Sequence, residues 1–108
     1  MSTEQTKAVY DHHMAALAAG DVDDVMSDYT EDSLFISNAG GVMKGLDALR
    51  GVFEMAAGAM GDLEILAEHV EDETAFVAWK SGALPFGTDT FVVRDGKIAV
   101  QTVALHFG

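Results

Sequence analysis

Asp89 is the residue whose type and place in this sequence could do chemistry. It sits in the run Thr88-Asp89-Thr90-Phe91-Val92-Val93, which reads as a strand, and strands disfavour Asp. A half-buried carboxyl there needs hydrogen-bonding partners or a raised pKa, and a carboxyl so raised can hold or exchange a proton near neutrality. The bland alternative is a structural carboxylate spent on its neighbours. His13 is the second candidate, because it falls on the apolar stripe of a helix; the bland alternative is a satisfied core histidine. Its neighbour His12 points about 100° away on that helix, so the two cannot serve one ligand. His69 and His106 lie on strands distant in sequence, and no His-x-His or His-x-x-x-His spacing occurs, so no metal site is expected. Met14, Met26, Met43, Met55 and Met60 read as core or soft pocket lining. The chain has no cysteine, which excludes a thiol nucleophile, a thiolate metal site and a disulfide framework. Gly40-Gly41 is a turn, since neither a glycine fingerprint nor a Walker lysine follows to make it a phosphate cradle.

The elements that must position these residues follow from periodicity. Residues 88–93 and 98–107 form a long hairpin around the turn Arg94-Asp95-Gly96-Lys97. Upstream, Val9, Tyr10, His13 or Met14, and Leu17 recur at helical spacing over residues 3–19, with Ser2 or Thr3 as cap and Gly20 as stop. Asp21 then caps a second helix over 22–29, with the stripe Val22, Val25, Met26 and Tyr29. Residues 33–37 read as a strand and 42–44 as a short partner. Gly45 leads into a third helix carrying Leu46, Leu49, Val52 or Phe53, and Ala56, which ends near Gly61. From there the period is two, giving strands at 63–70 and 74–82 before the hairpin. Helices first and strands afterwards imply an α+β fold, a curved antiparallel sheet wrapped over about three N-terminal helices.

Composition bounds the rest. With 108 residues, 49% hydrophobic and a single Pro, residues 1–108 read as one domain with one core. A net charge of −12, from 18 acids against 6 Lys plus Arg, excludes nucleic acid and anionic membrane surfaces as partners. Asp21, Asp23, Asp24, Asp28, Glu31 and Asp32 fall in one window that reads as a solvated helix face; the spacing of a calcium loop is missing. The start MSTEQTKAVYDHH lacks the basic and apolar regions of a signal peptide, and no run approaches the roughly 18 apolar residues of a membrane span, so a cytoplasmic protein is expected.

Four stretches carry a resemblance: HMAALAAGD at 13–21, YTEDS at 29–33, Gly45 opening a helix, and TDTFVVRDGKI at 88–98. Together they resemble the nuclear transport factor 2-like superfamily, which includes ketosteroid isomerases, SnoaL-like polyketide cyclases, hydratases, epoxide hydrolases and non-catalytic members. The resemblance implies a cone-shaped, cystatin-like fold over nearly the whole chain. It implies either of two functions. One is a cofactor-independent isomerase, cyclase or hydratase acting on a small apolar carbonyl compound, with Asp89 and His13 as donors of hydrogen bonds and protons. The other is a non-catalytic small-molecule-binding or assembly domain. Carried over from the ketosteroid isomerases, the oxyanion-hole tyrosine falls at His13, its supporting tyrosine at Phe53, and the protonated aspartate at Asp89. The general base falls at Ser37, which cannot abstract a carbon-bound proton, so steroid isomerisation is not expected.

Strand alternation says what else faces the pocket. With Asp89 inward go Phe91 and Val93; on the last strand Gln101, Val103 and Leu105; on the first, Phe35 and Ser37. Tyr10, Tyr29 and Phe53 reach the same space from the helical side, and together these residues are the expected ligand contacts. Lys80 would share the inner face with Phe76 and Ala78, although residues 76–79 are apolar on both faces. Leu84-Pro85-Phe86 and the Val42-Met43 turn would form a lid. Outward, Thr90, Val92, Thr102 and Ala104 make a face too apolar to stand alone. The superfamily commonly dimerises on that side, so a homodimer is expected, with Trp79 or Val77 near the interface.

Overall fold

The computed structural model describes residues 2–59 and 62–107. Helix α1, Thr3–Ala19, begins at a capping box. The Gln5 amide donates to Ser2 Oγ (3.2 Å) and the Ser2 amide to Gln5 Oε1 (3.0 Å), so two amides without helical partners are satisfied. Gly20 ends the helix in the left-handed region at φ 71°. Helix α2, Val22–Met26, is capped by Asp21 through the Asp24 amide. It stops short of the expected 22–29, and Tyr29 reaches the core from the turn that follows. Strands β1, Leu34–Ser37, and β2, Gly41–Lys44, form a hairpin, and α3, Leu46–Ala59, follows. Its expected end near Gly61 lies outside the described residues.

Strands β3, Glu64–Glu71, β4, Thr74–Lys80, β5, Phe86–Arg94, and β6, Lys97–His106, complete one sheet in the order β2-β1-β6-β5-β4-β3. The β5–β6 turn places Asp95 at φ 53° and Gly96 at φ 76°, both positive as a type I′ hairpin requires. The expected all-antiparallel sheet is corrected at one junction, because β1 pairs with β6 in parallel. A tight turn can join only antiparallel neighbours, whereas the long connection from β1 to β6 leaves the direction free. The α+β architecture itself stands as expected, three helices over a curved, unclosed sheet.

Parity on β5 and β6 is the expected one. Phe91, Val93 and Gln101 are buried, with Asp89, Val103 and Leu105 on the same face. On β4 the inward set is Ala75, Val77 and Trp79, all buried. This corrects two expectations. Lys80 points to the other face, exposed and 3.7 Å from Glu64, and Trp79 and Val77 belong to the core and not to the outer surface. The sequence 76–79 is apolar on both faces, so alternation there could not decide the direction.

Candidate functional site

A cavity of about 120 Å³ lies between the helices and the inner face of the sheet. Met14 and Leu17 line it from α1, Val52, Phe53 and Ala56 from α3, and Leu63 from the segment entering β3. The sheet contributes Phe35, Val77, Trp79, Asp89, Gln101, Val103 and Leu105, and His13 contributes an edge from α1. The walls are apolar, and the polar side chains converge on one side.

Those polar groups form a chain of hydrogen bonds. Asp89 Oδ1 accepts from the Trp79 indole N–H (2.8 Å), and Oδ2 accepts from Gln101 Nε2 (2.8 Å). Gln101 Oε1 accepts from the Tyr29 hydroxyl. That hydroxyl hydrogen being spent, the contact of 3.4 Å between Tyr29 Oη and His13 Nδ1 is one in which the imidazole donates. Local structure explains each placement. Asp89 and Gln101 are diagonal neighbours across β5 and β6, with Asp89 opposite Val103 and Phe91 opposite Gln101. Trp79 faces Gly87 across β4 and β5, and the missing side chain makes room for the indole: a Cβ at Gly87 would fall closer than 3.0 Å to three indole carbons. Behind this chain an aromatic floor fixes the ring of His13, with Phe91 at 5.0 Å and Phe53 at 5.6 Å, both edge to face.

Burial sets the charges. It raises the Asp89 carboxyl above its ordinary value, against the two N–H donors from Trp79 and Gln101, which favour the ionised form. It lowers the His13 imidazole to about 4, the charge of His12 adding to the effect, so His13 is neutral at pH 7. Burial also pushes the Tyr29 hydroxyl well above its ordinary range. His12 behaves in the opposite way. Its Nδ1 lies 2.7 Å from Asp28 Oδ2 and its Nε2 lies 2.9 Å from Asp24 Oδ1, a pairing that requires hydrogen on both nitrogens, and these carboxylates raise its pKa. The two histidines therefore divide as helix geometry requires, one inside and one outside.

Of the expected site residues, Asp89, His13, Phe35, Phe53, Gln101, Val103 and Leu105 line the common cavity. Tyr29 stands behind it, linked to His13 and Gln101. Phe91 is fully buried beneath His13 as floor. Two residues are placed elsewhere. Tyr10 turns toward the β3 side, its hydroxyl donating to Glu68 (2.7 Å) in a shallow groove with Lys7 and Asp11. Ser37 spends its Oγ on the Gly40 amide (2.8 Å) in the β1–β2 turn. Trp79 and Leu63 line the cavity although sequence alternation does not point to them. The pairing of Trp79 with Gly87 is the available signal, since a large aromatic opposite a glycine tends to lie across it. Among the described residues, no cluster of three or more His, Cys, Asp or Glu side chains is arranged to hold a metal. No helix among them is long and apolar enough to cross a membrane.

An α+β cone enclosing an apolar cavity with a partnered carboxyl defines a class of small domains, and the comparisons with known proteins agree. Residues 10–101 match the SnoaL-like domain, and the chain belongs to that family. No curated protein matches. Among solved structures, a nuclear transport factor 2-like protein of unknown function from Burkholderia xenovorans aligns with a TM-score of 0.83 at 19% identity, covering 100% of this chain and 88% of that one. SalBIII, described as an epoxide hydrolase/cyclase-like enzyme in pyran ring formation in the polyether salinomycin, aligns at 0.81 with 18% identity, covering 95% and 92%. An epoxide hydrolase from M. tuberculosis aligns at 0.71 with 15% identity, covering 95% and 84%. At these identities the likeness is one of fold.

Proposed function

We propose that this SnoaL-like protein is a cofactor-independent proton-transfer enzyme, of the isomerase, cyclase or hydratase type, acting on a small, largely apolar carbonyl compound. One observation carries the reading: a carboxyl raised by burial, held by two N–H donors, faces an apolar cavity. Asp89 is the group that exchanges the proton. With both oxygens accepting hydrogen bonds, its ionised form is poised to take a proton and its protonated form to return it. His13 is the second group at the site. It is neutral, and its Nδ1–H is directed at Tyr29, which leaves Nε2 as an acceptor toward a ligand and corrects the donor role expected for it. The ring-forming and epoxide-opening neighbours support the same class of chemistry. A homodimer meeting on the outer sheet face belongs to this reading, as does the absence of nucleic-acid or membrane partners for so acidic a chain.

The test is proton exchange. Small cyclic ketones and hydroxyketones incubated with the protein in D2O should incorporate deuterium beside the carbonyl faster than in buffer, and Asp89→Asn should abolish the difference, followed by NMR. Compounds that bind without any exchange above buffer would instead leave a non-catalytic binding domain. That second reading is favoured by one observation, the engagement of Ser37 in its turn where a general base would have been expected.

A further inference from the structure

We propose that the substrate group seated against Asp89 is a hydroxyl, so that the molecule is a hydroxylated ring or short chain of about six non-hydrogen atoms in its buried part. The inference rests on the reading of the cavity as a small-molecule site and adds which end of the molecule enters first.

A count of hydrogens decides which group fits. The indole N–H of Trp79 and one amide hydrogen of Gln101 go to Asp89. The Tyr29 hydroxyl hydrogen goes to Gln101 and the Nδ1 hydrogen of His13 to Tyr29. Two N–H donors on its two oxygens fit the ionised form of Asp89, and with Asp89 ionised the direction of this chain follows. An ionised Asp89 can only accept, so Gln101 must turn its nitrogen toward it, its oxygen must then accept from Tyr29, and Tyr29 must accept from His13. What remains for a ligand is a set of acceptors, the free lone pairs of Asp89 and Nε2 of His13. The single donor left over in the chain is the second amide hydrogen of Gln101, which itself lines the cavity.

A hydroxyl matches that set, since it donates to the carboxylate and accepts from the Gln101 amide. A ketone brings lone pairs alone and would displace water from the carboxylate without replacing its hydrogen bond, which costs affinity. An ammonium brings hydrogens alone and would face the Gln101 N–H with no lone pair. Size limits the buried part: the cavity of about 120 Å³ is slightly smaller than the ~150 Å³ engineered cavity known to take benzene.

Four probes of one shape separate the possibilities: cyclohexanol, cyclohexanone, cyclohexylamine and methylcyclohexane, titrated into the full chain at pH 7 by calorimetry. Emission of Trp79, the single tryptophan of the chain, serves as a second readout. Cyclohexanol is expected to bind about tenfold more tightly than cyclohexanone, and the preference should shrink to within about threefold in Asp89→Asn. Retained binding of methylcyclohexane by that variant shows the cavity intact. If cyclohexanone or cyclohexylamine binds wild type as tightly as cyclohexanol, the hydroxyl assignment is overturned while the cavity still stands as a small-molecule site. If none of the four binds, the small-molecule reading fails and this assignment with it.

Discussion

His12 and His13 are adjacent in sequence and opposite in electrostatics, and that contrast can be measured. The unfolded chain protonates His13 at its ordinary 6.5, whereas the folded chain resists until about 4. Unfolding therefore takes up a proton in that window, and the wild type should lose about 3 kcal/mol of stability from this group as pH falls from 6.5 to 4. His12 has the opposite sign. Its pKa is raised above 6.5 by Asp28 and Asp24, so its contribution is present below 6.5 and fades as pH rises through the raised value. Urea unfolding across this range should show His13→Gln with a flatter acid limb than wild type and an unchanged alkaline limb. An acid limb as steep as that of wild type would mean that His13 is protonated in the folded protein. Tyr10 shows the same dependence on surroundings from the other direction. It lies one turn from His13 on α1, but Glu68 draws its hydroxyl away from the cavity.

The element that holds the site is the β4–β5 pair, through the contact between Trp79 and Gly87. Gly87→Ala should force the indole off β5, since overpacking of this kind costs about 1–3 kcal/mol, and should break the bond from the indole N–H to Asp89. The expected readouts are a lower urea midpoint and a shift of tryptophan emission; emission identical to wild type would show the indole unmoved. This contact also marks where the sequence stops being legible. Over residues 88–92 and 100–105 the alternation holds, with Thr88, Thr90 and Thr102 outward, so once Asp89 is taken as inward the residue pattern assigns Gln101, Val103 and Leu105 to its face; a bulge between Val92 and Val93 breaks it beyond. On β4 the residues Phe76, Val77, Ala78 and Trp79 suit either face. The direction is decided by pairing with β5 and by the space above Gly87, which are tertiary facts. The parallel junction of β1 with β6 is hidden for the same reason: nothing local in Leu34–Ser37 states the direction of a neighbour more than 60 residues away. Ser37 keeps the inward parity of its strand and is still lost to the site, because the adjacent turn claims its hydroxyl.

For the molecule as a whole, the helices cover one face of the sheet and leave Thr90, Val92, Thr102 and Ala104 on the other. A dimer through that face is the expected state in solution, measured by light scattering after size exclusion, and Thr102→Lys should shift it to monomer by placing a charge in the apolar contact. A wild type that is monomeric at every concentration tested would sink the expectation. The edge strand β3 carries Glu64, Glu68 and Glu71 and a bulge between Ile65 and Ala67, features that discourage a second chain from pairing along that edge. The sheet order has a consequence of another kind, for the making of the protein. β6 lies between β1 and β5, although it is the last of the six in chain order. Until residues 97–106 have left the ribosome, the β1–β2 hairpin and the β3–β4–β5 meander have no strand to join them, and Gln101, the link between Asp89 and Tyr29, is not yet in place. The cavity thus closes in one late step.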